Sequence, residues 1–271
     1  PRFDQQQQDA LQRARRMFER LRPDLARKEK FLPDGDEINV DRLVDYMVTR
    51  HTLPAPRVQF YEKTFIQQRD IAVALLMDVS GSTGGMNDNA STAGSPVTQR
   101  RIIDIEKQAA LILGEGLDAL GDPFGLYGFS GNGREHCEFF VYKDLDEPMD
   151  DHARRRVMAA FPTANTRIGV ALRHTLSKLR DAPARRRIII LITDGRPQDS
   201  GYDPATRYAQ YDVRMACHEC EKHDVSVVCI STLENSRADL EVMFPQRRYV
   251  VLEDMSRLPD VLPALYLTMT A

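Results

Sequence analysis

Seven consecutive apolar residues, Ile71 to Met77, run directly into Asp78-Val-Ser80-Gly-Ser82. An uninterrupted apolar run of this length suits a parallel strand covered on both faces. Parallel neighbours require long crossover connections, usually helices. The run therefore restricts the chain to layered architectures in which helices flank a sheet. The residues around it keep the same rhythm. Arg101 to Leu120 reads as a helix with Ile105, Ala109, Ile112 and Leu113 on one stripe. Phe124 to Phe129, Arg187 to Ile192, Val225 to Ile230 and Tyr249 to Leu252 read as strands, and Glu138 to Tyr142 as a short edge strand. Helices are predicted over Asp151 to Ala160, Arg167 to Leu179, Thr206 to His223, Ala238 to Met243 and Ser256 to Met269. Strands alternating with helices predict an α/β sheet layered on both sides.

The residues before this region read differently. Gln5 to Leu21 is a polar helix with Leu11, Phe18 and Leu21 on one side, closed by Pro23. A charged turn at Pro33-Asp-Gly-Asp-Glu precedes a second helix, for which Asn39 is the N-cap. Its apolar face is Val40, Leu43, Val44 and Met47. Val58 to Ile66 is expected to be extended. The division predicted is a helical N-terminal connector over 1–68 and a main domain over 69–271.

Length and charge set limits on function. The chain has 271 residues, 42% of them hydrophobic, enough for one large core with a small appendage. A formal charge of −3 demands no nucleic-acid partner. Arginines cluster at 154–156, 185–187 and 247–248, where they read as solvated element ends. No apolar stretch reaches the roughly 20 residues a membrane-spanning helix needs, so direct membrane insertion is not expected. No cleavable leader is visible, and the start at Pro1 reads as a fragment of a longer protein. Four sparse cysteines suit a reducing cytoplasm. Cys217 and Cys220, with His223 beyond, carry zinc-type ligands, but a second ligand pair is missing and the stretch reads as one helix.

The chemistry concentrates where strands end. In an open α/β sheet, ligands bind beyond the carboxyl ends of strands. Asp78, Ser80 and Ser82 follow one apolar strand, and Thr193-Asp194-Gly195 follows another. Thr166, in Thr163-Ala-Asn-Thr166, opens a helix and presents a third hydroxyl. Three hydroxyls and two carboxylates on one rim form an oxygen-only set, which suits a hard cation. Mg²⁺ usually keeps several waters. Direct binding by the hydroxyls of Ser80, Ser82 and Thr166 leaves Asp78 and Asp194 to act through water. Each motif alone is ordinary turn chemistry. Their joint placement after apolar strands carries the signal.

These five residues resemble the metal-ion-dependent adhesion site of von Willebrand factor A domains, over residues 70 to 271. The resemblance implies a Rossmann-like, mainly parallel sheet with one antiparallel edge strand and helices on both faces. It assigns Ser80, Ser82 and Thr166 as direct Mg²⁺ ligands, with Asp78 and Asp194 as the water-mediated carboxylates. A narrower likeness rests on Leu126-Tyr-Gly-Phe-Ser130, Lys143-Asp-Leu-Asp-Glu-Pro148, Thr166-Arg-Ile-Gly169, Thr193-Asp-Gly-Arg-Pro197 and Leu258-Pro-Asp-Val-Leu-Pro-Ala-Leu-Tyr266, with Asp34-Gly-Asp-Glu-Ile38 upstream. These strings are similar to the C-terminal part of the NorD and CbbO proteins. That likeness implies a non-catalytic, cytoplasmic adaptor that links a MoxR-type AAA+ ATPase (NorQ or CbbQ) to a client enzyme. The client implied is nitric oxide reductase for NorD and Rubisco for CbbO.

Two other classes stay open at this point. A Mg²⁺-dependent hydrolase or phosphotransferase would use Ser80 as nucleophile, but no Gly-x-Ser-x-Gly elbow surrounds it and no histidine accompanies the rim motifs. No Gly-x-x-x-x-Gly-Lys-Ser/Thr loop is present for nucleotide. Extracellular adhesion fits the absence of a leader and of a disulfide framework poorly. Arg167 and Arg196 directly follow rim residues and read equally as partners for an incoming carboxylate or as surface charge. The polar segment 84–98 reads as a surface loop beside the rim, where it could tune client choice.

Overall fold

A computed structural model of the chain describes residues 5–21, 26–49, 58–66, 70–85, 101–195, 197–203, 206–231, 237–244, 248–251 and 266. Two compact units emerge: residues up to Glu19 together with Asp70 onward, and Arg20–Arg69.

The larger unit contains the sheet anticipated from the apolar runs. Its strands are β4 (Ile71–Asp78), β5 (Phe124–Asn132), β6 (His136–Lys143), β7 (Arg186–Thr193), β8 (Val225–Ser231) and β9 (Tyr249–Val251). The order across the sheet is β6-β5-β4-β7-β8-β9. All pairings are parallel except β5 with β6, which places one antiparallel strand at the edge. This is the mainly parallel α/β architecture expected.

Every residue of β4 is buried. Ala72, Ala74 and Leu76 share a cluster with Ile168 and Leu172 of α5 (Ile168–Leu179) and with Val213 and Ala216 of α6 (Tyr208–Lys222). Against β4 and β5 also packs α3 (Ile102–Leu120), whose stripe includes the buried Ile105, Ala109, Ile112 and Leu113. Each fully buried Leu, Ile or Val among these contributes about 1.5–3 kcal/mol. The short helices α4 (Asp151–Met158) and α7 (Arg237–Met243) complete the described layers. Of the predicted C-terminal helix only Tyr266 is described; the remainder, and the 86–98 part of the polar segment, lie outside the described residues.

The N-terminal helix α1 (Gln5–Leu21) is placed differently from the connector expected. Phe18 is wholly buried, with its ring 5.9 Å from that of Tyr266. A Cβ on Gly116 of α3 would lie 2.6 Å from the Phe18 ring, so glycine there makes room for it. Residues up to Glu19 accordingly group with the sheet.

The smaller unit carries more strand than the helical segment expected over 1–68, in which Val58 to Ile66 alone was read as extended. It is a three-stranded antiparallel sheet, β1 (Ala26–Leu32), β3 (Tyr61–Ile66) and β2 (Glu37–Ile38), in the order β1-β3-β2, with one helix, α2 (Val40–Thr49). The Asn39 cap is present: its Oδ1 accepts from the Arg42 N–H at 3.2 Å. β1 is Ala-Arg-Lys-Glu-Lys-Phe-Leu. Its charged middle hides the alternation by which a strand is read.

Candidate functional site

β4 and β7 are neighbours in the middle of the sheet, and the chain proceeds from β4 outward to β5 on its other side. Strand order reverses here, which opens a crevice at the carboxyl ends. Asp78 ends β4 and Asp194 follows the last residue of β7.

Asp78 is fully buried and held from two sides. Its Oδ1 accepts the Ser80 N–H at 2.9 Å, and its Oδ2 accepts the Thr193 hydroxyl at 2.8 Å. Beyond it, Gly81–Gly84 forms a 3-10 turn with Ser80 as its N-cap. The turn sets Ser80 Oγ 2.9 Å from Ser82 Oγ. Ser80 is buried and Ser82 exposed, so the pair runs from the interior to the surface.

The loop before α5 closes on this turn. Thr163 N–H donates to Val79 O at 2.7 Å, and Gly81 N–H donates to Ala164 O at 2.8 Å. Ser130 at the end of β5 donates its hydroxyl to Thr163 O at 2.6 Å. Ala164 takes a positive φ of 39° to make these contacts. An L-residue in that region is strained, and such strain persists only where surrounding structure enforces it. The loop carries Thr166, 2% exposed, whose N–H donates to Gln198 O at 2.8 Å. Asp194 is 3% exposed, and the Gly195 that follows it adopts φ 93°, a glycine conformation.

All five residues singled out from sequence thus lie on loops or strand ends at one end of the sheet. Burial, and next the Asp194 carboxylate, push Asp78 up to about 7 against the lowering effect of its Ser80 and Thr193 hydrogen bonds. Glu106 of α3 was not anticipated. It is wholly buried, neither carboxyl oxygen has a hydrogen-bond partner, and burial followed by Asp78 and Asp194 raises it well above the ordinary range. Its spacing in α3 matches the buried face of the helix, but its charge points the reading of the sequence outward.

Two further expectations change. Arg167 is not a free surface group: its side chain is 7% exposed and its Nε lies 2.8 Å from Asp199 Oδ2. The charge is already matched internally, which removes it as a capture group for an incoming carboxylate. Arg196 lies outside the described residues. Burial raises the Cys217 and Cys220 thiols, and both lie on the single helix α6, as the sequence indicates. Arg154 and Arg156 of the arginine clusters meet Glu115 and Glu147, each at 2.6 Å.

Two of the strings that carry the narrower resemblance have structural partners. Tyr127 donates its hydroxyl to Asp144 at 2.6 Å, and Lys178 meets the same carboxylate at 3.1 Å. Lys143 is buried and donates to the Phe124 and Asp144 carbonyls. These contacts join the start of β5, the end of β6 and the last turn of α5, at the end of the sheet opposite the rim.

Comparisons with known proteins bear on the family and the fold. NorD of Brucella suis biovar 1 (strain 1330) is 33% identical over 269 residues, 97% of this chain and 40% of its own length. NorD of Stutzerimonas stutzeri is 32% identical over 243 residues, 89% of this chain and 38% of its own. The uncharacterized protein PA0525 of Pseudomonas aeruginosa is 35% identical over 254 residues, 93% and 39%. The chain therefore spans about two fifths of the length of these relatives. In fold it is similar to the PilB minor pilin from Streptococcus sanguinis, with TM-score 0.56, 14% identity and coverage of 80% of this chain and 66% of that one. It is likewise similar to the vWF domain of the type V pili tip protein Mfa5 from Porphyromonas gingivalis, with TM-score 0.50, 11% identity and coverage of 73% and 96%. Residues 72–264 match the family model of the von Willebrand factor type A domain, and the chain belongs to that family.

Proposed function

We propose that this chain is the protein-binding part of a NorD-like accessory protein, and that it captures a carboxylate of a partner through Mg²⁺ at the rim. The observation that carries the reading is Asp78, buried close to Asp194 and bonded to the turn that carries the Ser80 and Ser82 hydroxyls. Burial, and next the neighbouring Asp194 carboxylate, raise Asp78 to about 7. A cation above them would relieve that repulsion. Among the described residues no three His, Cys, Asp or Glu side chains gather as ligands. The donor set here is instead three hydroxyls with two acids. This is a hard-cation set, and it fits Mg²⁺.

Ser80, Ser82 and Thr166 would hold the ion directly, and Asp78 and Asp194 through water. Neutral direct ligands leave a bound Mg²⁺ electrophilic, and a partner's Asp or Glu completes its shell. The chain's own residues supply the rest. Asp78 orients the Ser80 backbone, Thr193 orients Asp78, and exposed Ser82 marks the side from which a partner approaches. The Ser80 hydroxyl lies 2.9 Å from the Ser82 hydroxyl, and no histidine stands in the rim motifs to act as its base, which favours binding over nucleophilic chemistry.

The partners in this reading are a MoxR-type AAA+ ATPase and a client enzyme. The relatives named NorD favour the NorD form of the resemblance, for which the client proposed is nitric oxide reductase. The activity, if any, belongs to the ATPase and the client. Pull-down of each partner class with Mg²⁺ or with EDTA, using wild type and the Ser80→Ala/Ser82→Ala variant, tests it. Capture that needs both the ion and the serines is expected. Capture indifferent to both would overturn the metal bridge.

A further inference from the structure

We infer that the buried Arg167–Asp199 ion pair is a positioning device for Thr166, joining the hydroxyl-bearing loop to the loop that follows Asp194. The inference rests on the cation reading of the rim.

Arg167 is the next residue after Thr166, and Asp199 lies a short way beyond Asp194. Two neighbouring contacts therefore bind the same loops. The Thr166 N–H donates to Gln198 O at 2.8 Å, and the Arg167 guanidinium meets Asp199 at 2.8 Å one residue further on in each loop. The guanidinium also covers the Tyr202 ring, 4.9 Å from its centroid. The Asp199 side chain is fully buried. Its Oδ1 accepts from the Gly133 N–H at 2.8 Å and from the Asn165 amide at 3.5 Å, and its Oδ2 accepts from the Gly201 N–H at 3.1 Å. One carboxylate thereby gathers the β5–β6 turn, the 163–167 loop and the 197–203 loop.

Stability alone is a poor reason for such a pair. Removing both charges from water costs about as much as their attraction returns, and buried pairs are often replaceable by apolar residues without loss. What an apolar pair cannot supply is registry. The Arg167 N–H is not aligned with the Asp199 oxygen, so the contact is ionic rather than a hydrogen bond. Direction comes from the backbone N–H groups of Gly133 and Gly201 and from the flat Tyr202 ring. Arg167 has φ −112° and ψ 70°, outside the helix, and offers α5 no side-chain cap. Its side chain is committed to the loop. Thr166 is the one hydroxyl of the three that is not carried by the 80–83 turn, so its place relative to Ser80 depends on how the loops are held.

The test uses the 271-residue chain with Asp199→Asn, Arg167→Met and Arg167→Lys, and with Arg154→Met as a control. Arg154 bridges α4 to Glu115 of α3 at 2.6 Å, outside these loop contacts. Calorimetry measures Mg²⁺ affinity, and hydrogen exchange follows the Thr166 amide. Asp199→Asn and Arg167→Met are expected to weaken Mg²⁺ binding roughly 10-fold and to speed Thr166 exchange. Arg167→Lys should recover part of both. Arg154→Met should lower the melting temperature and change neither. Unchanged affinity and exchange in folded Asp199→Asn and Arg167→Lys would overturn the inference. If wild type binds no Mg²⁺, the cation reading fails, and Thr166 exchange still decides the positioning role: acceleration in Asp199→Asn but not in Arg154→Met supports it, and no acceleration overturns it.

Discussion

The Thr193 hydroxyl donates to Asp78 Oδ2 over 2.8 Å, and so ties the end of β7 to the end of β4 across 115 residues of sequence. The same hydroxyl oxygen accepts the Gly195 N–H at 3.1 Å. Thr193 is fully buried, and it makes the two acidic motifs one structure. Thr193→Val keeps the shape and removes the hydroxyl, leaving Asp78 one hydrogen bond short and Gly195 without its acceptor. Each loss costs about 1–3 kcal/mol in a buried setting. The expected result is a lower urea midpoint with unchanged slope, and weaker Mg²⁺ binding by calorimetry. Wild-type values for both would show that the hydroxyl is dispensable.

The dependence on pH follows from Asp78 and Glu106. Both carboxyls are raised in the folded chain, Asp78 to about 7 from its ordinary 3.8. Between these values the folded chain binds more protons than the unfolded one, so stability falls as pH rises and levels off above the folded value. Cation binding needs Asp78 ionised and follows the opposite course. The Mg²⁺-free chain should therefore melt progressively lower from pH 5 to pH 8, while the increase in melting temperature on adding Mg²⁺ grows. The acids held low, Asp144 and Asp199, stay ionised throughout this interval and do not enter it. An Mg²⁺ effect of equal size at both ends would contradict the assignment of Asp78.

Glu106 gives a prediction of opposite sign to most core substitutions. Its carboxyl is buried with neither oxygen partnered, and two acids raise it further. Glu106→Met preserves an unbranched side chain of similar reach and removes the polar group. It should stabilise the Mg²⁺-free chain at pH 7.5 by about 1–3 kcal/mol, the penalty of a buried group without a partner. Chemical denaturation measures this directly, and destabilisation would mean that Glu106 has a structural partner after all.

The central architecture was legible because burial on both faces leaves its trace in composition. Ile71 to Met77 and Ile188 to Ile192 could be placed from their neighbours alone. The rim was legible for a related reason: Asp78, Ser80, Ser82, Thr166 and Asp194 all stand at or just beyond element ends. What escaped depends on distant partners. Phe18 looks like the apolar side of an isolated helix until Gly116 and Tyr266 are placed against it. Asp199 resembles any turn aspartate, and only folding brings Arg167 to it. Arg167 was misread for the same reason, since sequence does not say which arginines are already paired.

Gly81 provides the most local test of how the rim is assembled. A Cβ at this position would lie 2.9 Å from the Ala164 carbonyl oxygen, a backbone atom, in the same place where the Gly81 N–H donates to that oxygen. The two loops that carry Ser80 and Thr166 can approach this closely only over a glycine. In Gly81→Ala one loop must move, and Ala164, already at a strained φ of 39°, is the residue opposite. The turn is at the surface, so the loss of stability should be small, about 1 kcal/mol. Mg²⁺ affinity should fall at least about tenfold, equivalent to about 1.4 kcal/mol. Calorimetry beside thermal melting separates the two effects. A variant that melts much lower but binds Mg²⁺ as wild type does would show that Gly81 serves the fold, and that the spacing of the two loops is not what the rim depends on.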